Sequence, residues 1–269
     1  MRKLFAFVLC MFLAFITTIS AQDSSLIVTK LNIPNTELVL LDRFRNIYVA
    51  TNEPRLLQYD SKGTKMAEYT EVRYGSFTVI DINNPLSILV YYADFGIVQI
   101  LDRNLTLQSE FNLRTFGYLT NTAIGLGADN NIWFYNMETF RLIKIDSFGK
   151  IIRKSNELTG LVGKSAFTGQ IWEQDNFLLM RAPDFGWMLF DDFGSYIQTL
   201  PLPDEEIQYF TNSRIYYRQE DYIDVLDLNN MRVKSYPIPT FLDQANNIQY
   251  IYKCWMEITA DTIRIFTLD

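Results

Sequence analysis

An aspartate that closes a short apolar run recurs at Asp60, Asp102, Asp146, Asp191, Asp227 and Asp269, at intervals of 42, 44, 45, 36 and 42 residues. The runs are alike: Leu56-Leu57-Gln58-Tyr59 precedes the first aspartate, Ile143-Lys144-Ile145 the third, Leu189-Phe190 the fourth and Val225-Leu226 the fifth. A strand-bearing unit repeated every ~40–45 residues is the signature of a propeller blade. Arrays of immunoglobulin-like sandwiches also use many short strands, but their unit is about 100 residues.

Each repeat divides into four strands at its turn residues. In the first, strands are expected over 36–42, 46–51, 55–60 and 64–72, parted by Asp42-Arg43-Phe44-Arg45-Asn46, Asn52-Glu53-Pro54 and Asp60-Ser61-Lys62-Gly63. Asn, Asp, Pro and Gly at these points break strands because they adopt turn dihedrals or bond their own backbone. The third repeat predicts strands over 123–128, 132–136, 140–146 and 150–158, and the fourth over 165–173, 177–181, 186–191 and 195–202.

The N-terminus has a different character. Arg2 and Lys3 precede an apolar run over 4–16, and Ser20-Ala21 offers small residues for cleavage, so 1–21 reads as a secretory signal peptide. The run is short for a membrane span. Cys10 follows Leu9 rather than a small residue, which speaks against lipidation there. The mature chain, 22–269, then carries 22 Lys and Arg against 31 Asp and Glu, a net charge of −9. Nucleic acid and anionic lipid reward clustered cations, so neither is expected as a partner, and no direct membrane insertion is expected. Cys254 is left alone in the mature chain, which excludes an intrachain disulfide.

The last repeat ends on its aspartate and lacks an outer strand, while 25–33 is a strand-like segment ahead of the first inner strand. The expectation is one all-β domain: a six-bladed propeller whose last blade is completed by the N-terminal strand, which removes an exposed edge. In period, turn placement and closure the chain resembles the six-bladed propeller superfamily that includes the NHL and TolB-like families.

Histidine is absent from the sequence. That removes the Ser-His-Asp triad, the Cys-His pair and the histidine-based zinc and iron sites. A calcium site needs only oxygen ligands, so a calcium-dependent lactonase-like hydrolase stays open as an alternative. The inner strands, with Val39-Leu40-Leu41, Phe77-Thr78-Val79-Ile80 and Ile124-Gly125-Leu126-Gly127, offer few such ligands. No catalytic residue, metal or cofactor is therefore expected. Asp-Phe-Gly at 94–96, 184–186 and 192–194 reads as turn chemistry, because no phosphate loop or catalytic loop accompanies it. Asn104-Leu105-Thr106 matches a glycosylation sequon, but it lies in an expected hairpin.

An acid falls in the hairpin between the second and third strands of every repeat: Glu53, Asp94, Glu138, Asp184, Glu220 with Asp221, and Asp261. Turns favour Asp and surfaces favour charge, which explains much of the pattern. An acidic rim is also a candidate docking surface for a basic partner, a protein above all, or for a cation. Phe116, Tyr118 and Phe241, in the inter-blade segments 114–119 and 239–243, are candidate contact residues, with loop packing as the alternative.

The Ser-Ala-Gln leader end and the Asn-, Ile-, Lys- and Tyr-rich composition look like envelope proteins of Bacteroidota. Within them the chain is similar in size and character to the periplasmic plug subunits of the type 9 secretion translocon. That resemblance implies a non-catalytic periplasmic protein whose partner is a large outer-membrane β-barrel. A disc with a filled or narrow centre would suit occlusion. A glycan- or peptide-binding propeller is the remaining alternative, and aromatic rings lining an open groove would favour it.

Overall fold

The structure is a computed structural model that describes residues 26–118, 122–163, 167, 169–202, 207–242 and 247–267. The expected leader over 1–21, the repeat aspartate Asp269, and Leu119, Ser165 and Asp243 lie outside the described residues.

After β1 (Leu26–Asn32), the chain forms blade 1 from β2 (Thr36–Leu41), β3 (Ile47–Thr51), β4 (Arg55–Tyr59) and β5 (Lys65–Thr70). Blade 2 is β6 (Val79–Asp81), β7 (Ile88–Tyr92), β8 (Ile97–Leu101) and β9 (Leu107–Asn112). Blade 3 is β10 (Ile124–Leu126), β11 (Ile132–Asn136), β12 (Arg141–Ile145) and β13 (Ile151–Lys154). Blade 4 is β14 (Trp172–Gln174), β15 (Phe177–Ala182), β16 (Gly186–Asp191) and β17 (Tyr196–Leu200). Blade 5 is β18 (Ile207–Thr211), β19 (Arg214–Gln219), β20 (Tyr222–Asp227) and β21 (Arg232–Pro237). Blade 6 takes β22 (Asn247–Ile251), β23 (Cys254–Ile258) and β24 (Thr262–Thr267), with β1 as its outer strand. Six four-stranded antiparallel sheets result, as the repeat predicts.

The recurring aspartate is a turn cap. Asp60, Asp102, Asp146 and Asp191 each end the third strand of a blade, and Oδ1 accepts two backbone N–H groups of the following turn at 2.7–2.9 Å. Three residues on, the chain takes a positive φ at Gly63, Leu105, Gly149 and Gly194, the left-handed step of a bulged hairpin. These N–H donors hold the Asp60 and Asp102 carboxyls below the usual carboxylate range. The first hairpin of blade 5 turns in two residues, Asn212 and Ser213, both left-handed at φ 48° and 55°.

The middle strands are apolar on both faces because each blade packs against two neighbours. Along β3, Ile47 and Val49 enter the core shared with blade 6, while Tyr48 and Ala50 enter the core shared with blade 2. Along β11, Ile132 and Phe134 face blade 2, while Trp133 and Tyr135 face blade 4. The core is thus six clusters, one between each pair of neighbouring blades.

Blade 4 departs from the expected pattern. Its inner strand is Trp172–Gln174 rather than 165–173, because the chain just before it pairs with blade 3 instead. Ala123 N–H donates to the Phe167 carbonyl at 2.8 Å, Ile124 N–H to Gly169 at 3.0 Å, and Ile171 N–H to the Ile124 carbonyl at 2.8 Å. This approach requires Gly125, where a Cβ would lie 1.8 Å from the Ile171 carbonyl oxygen. Gly125→Ala is expected to cost several kcal/mol, in the range of severe overpacking and backbone displacement. Gly160→Ala, where nothing lies within 4 Å of the new methyl, is the control and should melt like the parent in a thermal scan.

The ring closes through β1 and β24, which pair from Leu26↔Thr267 to Asn32↔Thr262. Ile33 N–H and Thr36 N–H continue the contact onto Asp261 and Ala260 carbonyls at 2.9 and 3.0 Å. Leu31 and Ile33 are buried here against blade 1. Burying two such side chains contributes about 3–6 kcal/mol. Deletion of 22–33 is therefore expected to lower the melting temperature by roughly 10 °C or more, and to expose β24 as an aggregation-prone edge. Calorimetry and light scattering on the truncated protein check this; an unchanged melt would refute the closure.

Candidate functional site

In an antiparallel blade, the hairpin between its second and third strands leaves at the same end as the connection to the next blade. All seven predicted acids sit at that end, and every one is exposed: Glu53, Asp94, Glu138, Asp184, Glu220, Asp221 and Asp261. Only Glu53 among them forms an ion pair in the described residues, with Arg55 at 3.5 Å. The predicted aromatics are packed to different degrees. Phe116 and Tyr118 are half-buried against the core between blades 2 and 3, with Tyr118 4.6 Å from the Phe134 ring. Phe241 packs 5.2 Å from Phe266 and keeps 40% of its surface exposed.

The axis is open rather than filled. A funnel of about 1160 Å³ runs down it, lined by the inner strands of blades 1, 2, 5 and 6, by Gly169 and Gln170 ahead of β14 and by Trp172 at its start. Pro183, Glu220 and Asp221 line it too, so its mouth is at the end that carries the acids. Such a volume lies somewhat above the usual range of small-molecule pockets, about 300–1,000 Å³. No described residue of blade 3 lines it; there Phe167, Gly169 and Ile171 bond to the backbone of Ala123 and Ile124.

The inner strands are stitched by side chains in part of the ring only. Asp81 Oδ2 accepts Leu126 N–H at 2.9 Å, and Glu173 Oε1 accepts Ala128 N–H at 3.2 Å, which ties blades 2, 3 and 4. Gln208 mimics a strand between blades 5 and 6, donating to the Ile248 carbonyl at 2.7 Å and accepting Tyr250 N–H at 3.0 Å. Beneath blades 3 and 4, the buried Lys144 ammonium pairs with Glu173 at 3.0 Å and Asp129 at 2.8 Å, while Trp133 Nε1 donates to Glu173. The buried Lys144–Glu173 pair is matched charge for charge and the second carboxylate, Asp129, is exposed, so the cluster acts as a clamp between blades.

The two walls of the funnel differ. On blades 1 and 2 it is hydrocarbon: Leu38, Val39, Leu40, Val79 and Ile80, with Leu38 37% exposed. On blades 4 and 5 it holds Arg181, Arg218, Trp172 and Trp187. The two indoles stack with centroids 5.4 Å apart and planes 11° apart. Trp187 is 6% exposed, and its Nε1 has no hydrogen-bond partner among the described residues. Burying such a donor unpaired costs about 1–3 kcal/mol. Arg181 and Arg218 occupy the same place in their blades, the fifth residues of β15 and β19, just before the acid-bearing hairpins.

The sequence reading did not select these four residues. Arg181 and Arg218 interrupt second strands that are otherwise largely apolar, and that anomaly was their one visible signal. Trp172 had none, because its segment reads as part of an ordinary inner strand.

Asp81 lies behind the funnel wall, fully buried and hydrogen-bonded to the Gln170 side chain that lines it. Burial raises its carboxyl from 3.8 to about 6; the Leu126 and Asn83 N–H groups and Gln170 oppose the shift, and the Glu173 charge adds to it. Between these two values the folded chain holds a proton that the unfolded chain releases. This group's contribution to stability therefore falls as pH rises from about 4 to 6, and the penalty is complete above that window. Asp81→Asn removes the titration. Urea unfolding at a series of pH values should show the difference between variant and parent shifting in the variant's favour across that window and flat above it; parallel profiles would refute the assignment.

Among the described residues, no three His, Cys, Asp or Glu side chains are grouped to hold a metal ion. No described helix is long and apolar enough to cross a membrane.

No protein-family model matches the chain, and no curated protein matches it. It is similar in fold to a catalytically inactive histidine-to-alanine variant of virginiamycin B lyase from Staphylococcus aureus, with quinupristin. That match has a TM-score of 0.53 and 16% identity, over 87% of this chain and 80% of that one. A Bacteroides fragilis protein whose name describes it as exported aligns with a TM-score of 0.58 and 13% identity, over 91% of this chain and 95% of that one. The WD40 domain of Neurospora crassa Pan2 aligns at 0.58 with 9% identity, over 88% and 80%. At such identities the likeness establishes the propeller fold and carries no activity with it.

Proposed function

We propose that the chain is a non-catalytic, exported binding propeller that takes a protein partner on its funnel-bearing face. The observation that carries this reading is the coincidence, at one end of the ring, of an open axial funnel and an exposed acid on every second hairpin. A protein partner with a complementary basic surface would be steered there by the summed field of the acids. The leader over 1–21 supports an envelope location.

Catalysis is the competing reading, since virginiamycin B lyase shares the fold. Replacing a histidine of that enzyme gives a protein described as catalytically inactive, and the present chain has no histidine for such a role. The narrower form of the binding reading is a periplasmic plug against a large outer-membrane β-barrel of type 9 secretion. An open axis is not the filled disc that occlusion favours, so the broader reading has the better support.

The test is affinity purification from native envelopes with the parent chain and with a variant carrying Asn or Gln at Glu53, Asp94, Glu138, Asp184, Glu220, Asp221 and Asp261. Folding should survive, because exposed charges contribute little to stability. Capture of the partner should slow and lose much of its salt dependence. Equal capture by both proteins at low and high ionic strength would remove the rim from the interface. Capture of no protein by the parent chain would sink the reading itself.

A further inference from the structure

The two walls of the funnel ask for two kinds of chemistry in one ligand. On blade 5, Arg218 makes a single hydrogen bond, from Nε to the Glu220 carbonyl at 3.3 Å, and no carboxylate of a described residue pairs with it. That leaves the outer nitrogens of its guanidinium for a ligand. An unopposed guanidinium in a partly enclosed cavity selects a planar anion that can accept two parallel N–H bonds, above all a carboxylate. Beside it on blade 4, Trp172 is half-buried and stacked on Trp187, a rigid ring surface that covers hydrocarbon without rotamer loss. Across the axis, Leu38 and Leu40 on blade 1 present uncovered hydrocarbon to the same cavity.

The charge order along the funnel narrows the class. Acids ring the mouth, with Glu220 and Asp221 on its lip, and Arg218 stands two residues before Glu220 on β19, its Nε bonded to the Glu220 carbonyl. A small free anion meets repulsion before it meets Arg218. A chain that is basic or neutral along its length and anionic only at its tip passes the rim favourably and places its charge inside.

We propose that the funnel binds the carboxyl terminus of a polypeptide: Arg218 pairs with the terminal carboxylate, and the last apolar side chain lies between Trp172 and the Leu38–Leu40 wall. This deepens the protein-binding reading and rests on it.

The test uses the mature protein and three probes, followed by tryptophan fluorescence and calorimetry: N-acetyl-alanyl-phenylalanine, the same peptide as its C-terminal amide, and 3-phenylpropionate. The free-acid peptide should bind at least about tenfold more tightly than the amide, the effect of losing a charge-assisted pair. Arg218→Gln should abolish that preference, and Arg218→Lys, which keeps the charge but not the planar fork, should leave part of it. Trp172→Ala should weaken acid and amide alike. Unchanged thermal melting of the variants separates lost binding from lost fold.

Equal binding of acid and amide, or binding of neither, overturns the proposal. Equal binding of 3-phenylpropionate and the peptide acid overturns the chain terminus and leaves a small amphipathic acid as the ligand. The two readings fail separately. If the peptides do not bind but a protein is still captured from envelopes, the funnel assignment falls and the docking face stands. If the peptide acid binds as expected but no protein is captured, the carboxylate site stands and the protein-binding reading falls.

Discussion

The pairing of β1 with β24 holds the rest of the molecule in place. A blade cannot bury both of its faces alone; each middle strand sends alternate side chains into two cores, one on either side. Six such cores are complete only if the sixth blade meets the first, and no disulfide is present to hold that contact, since Cys254 is free and buried. Strand pairing from one end of the chain to the other ties blade 6 into a full four-stranded sheet, and Leu31 and Ile33 then pack that sheet onto blade 1. Open, the ring would present an unpaired edge and a bisected core together.

Closure also creates the axial space, and the space is uneven because the inner strands are not equally joined. Where Asp81, Glu173 and the backbone groups of Phe167, Gly169 and Ile171 link blades 2, 3 and 4, the wall is sealed. Where such links are sparse, the inner strands of blades 1, 2, 5 and 6 face the funnel, with Gly169, Gln170 and Trp172 completing its lining. The result is a cavity with one hydrocarbon wall and one cationic, indole-bearing wall. A structure with six similar blades thereby acquires one distinctive site.

The repeat was legible because its cause is local. Asp60, Asp102, Asp146 and Asp191 bond N–H groups two and four residues away, so the spacing of aspartate from a left-handed residue survives in the sequence whatever surrounds it. The acidic hairpins were legible for the same reason, and their positions agree with the reading of four strands per repeat. The segment expected to be the whole inner strand of blade 4 failed at a place where two blades compete for one strand. Phe167, Gly169 and Ile171 bond instead to the backbone of Ala123 and Ile124, an arrangement that depends on Gly125 in a different repeat, 42–46 residues earlier in the chain.

By itself, the sequence determined the number of blades, the turns that separate their strands, the segment that closes the ring and the loss of histidine chemistry. Each follows from contacts between residues a few positions apart, or from composition. Only the tertiary structure decided that the axis is open, that Arg181 and Arg218 share it with Trp172 and Trp187, and that blades 1 and 2 supply the facing hydrocarbon. Trp172, Arg181 and Trp187 share blade 4, but Arg218 comes from blade 5 and the facing hydrocarbon from blades 1 and 2, and these groups meet only after the ring has closed. No local pattern records the meeting, because the distance between them is set by the radius of the ring and by which inner strands happen to be stitched together.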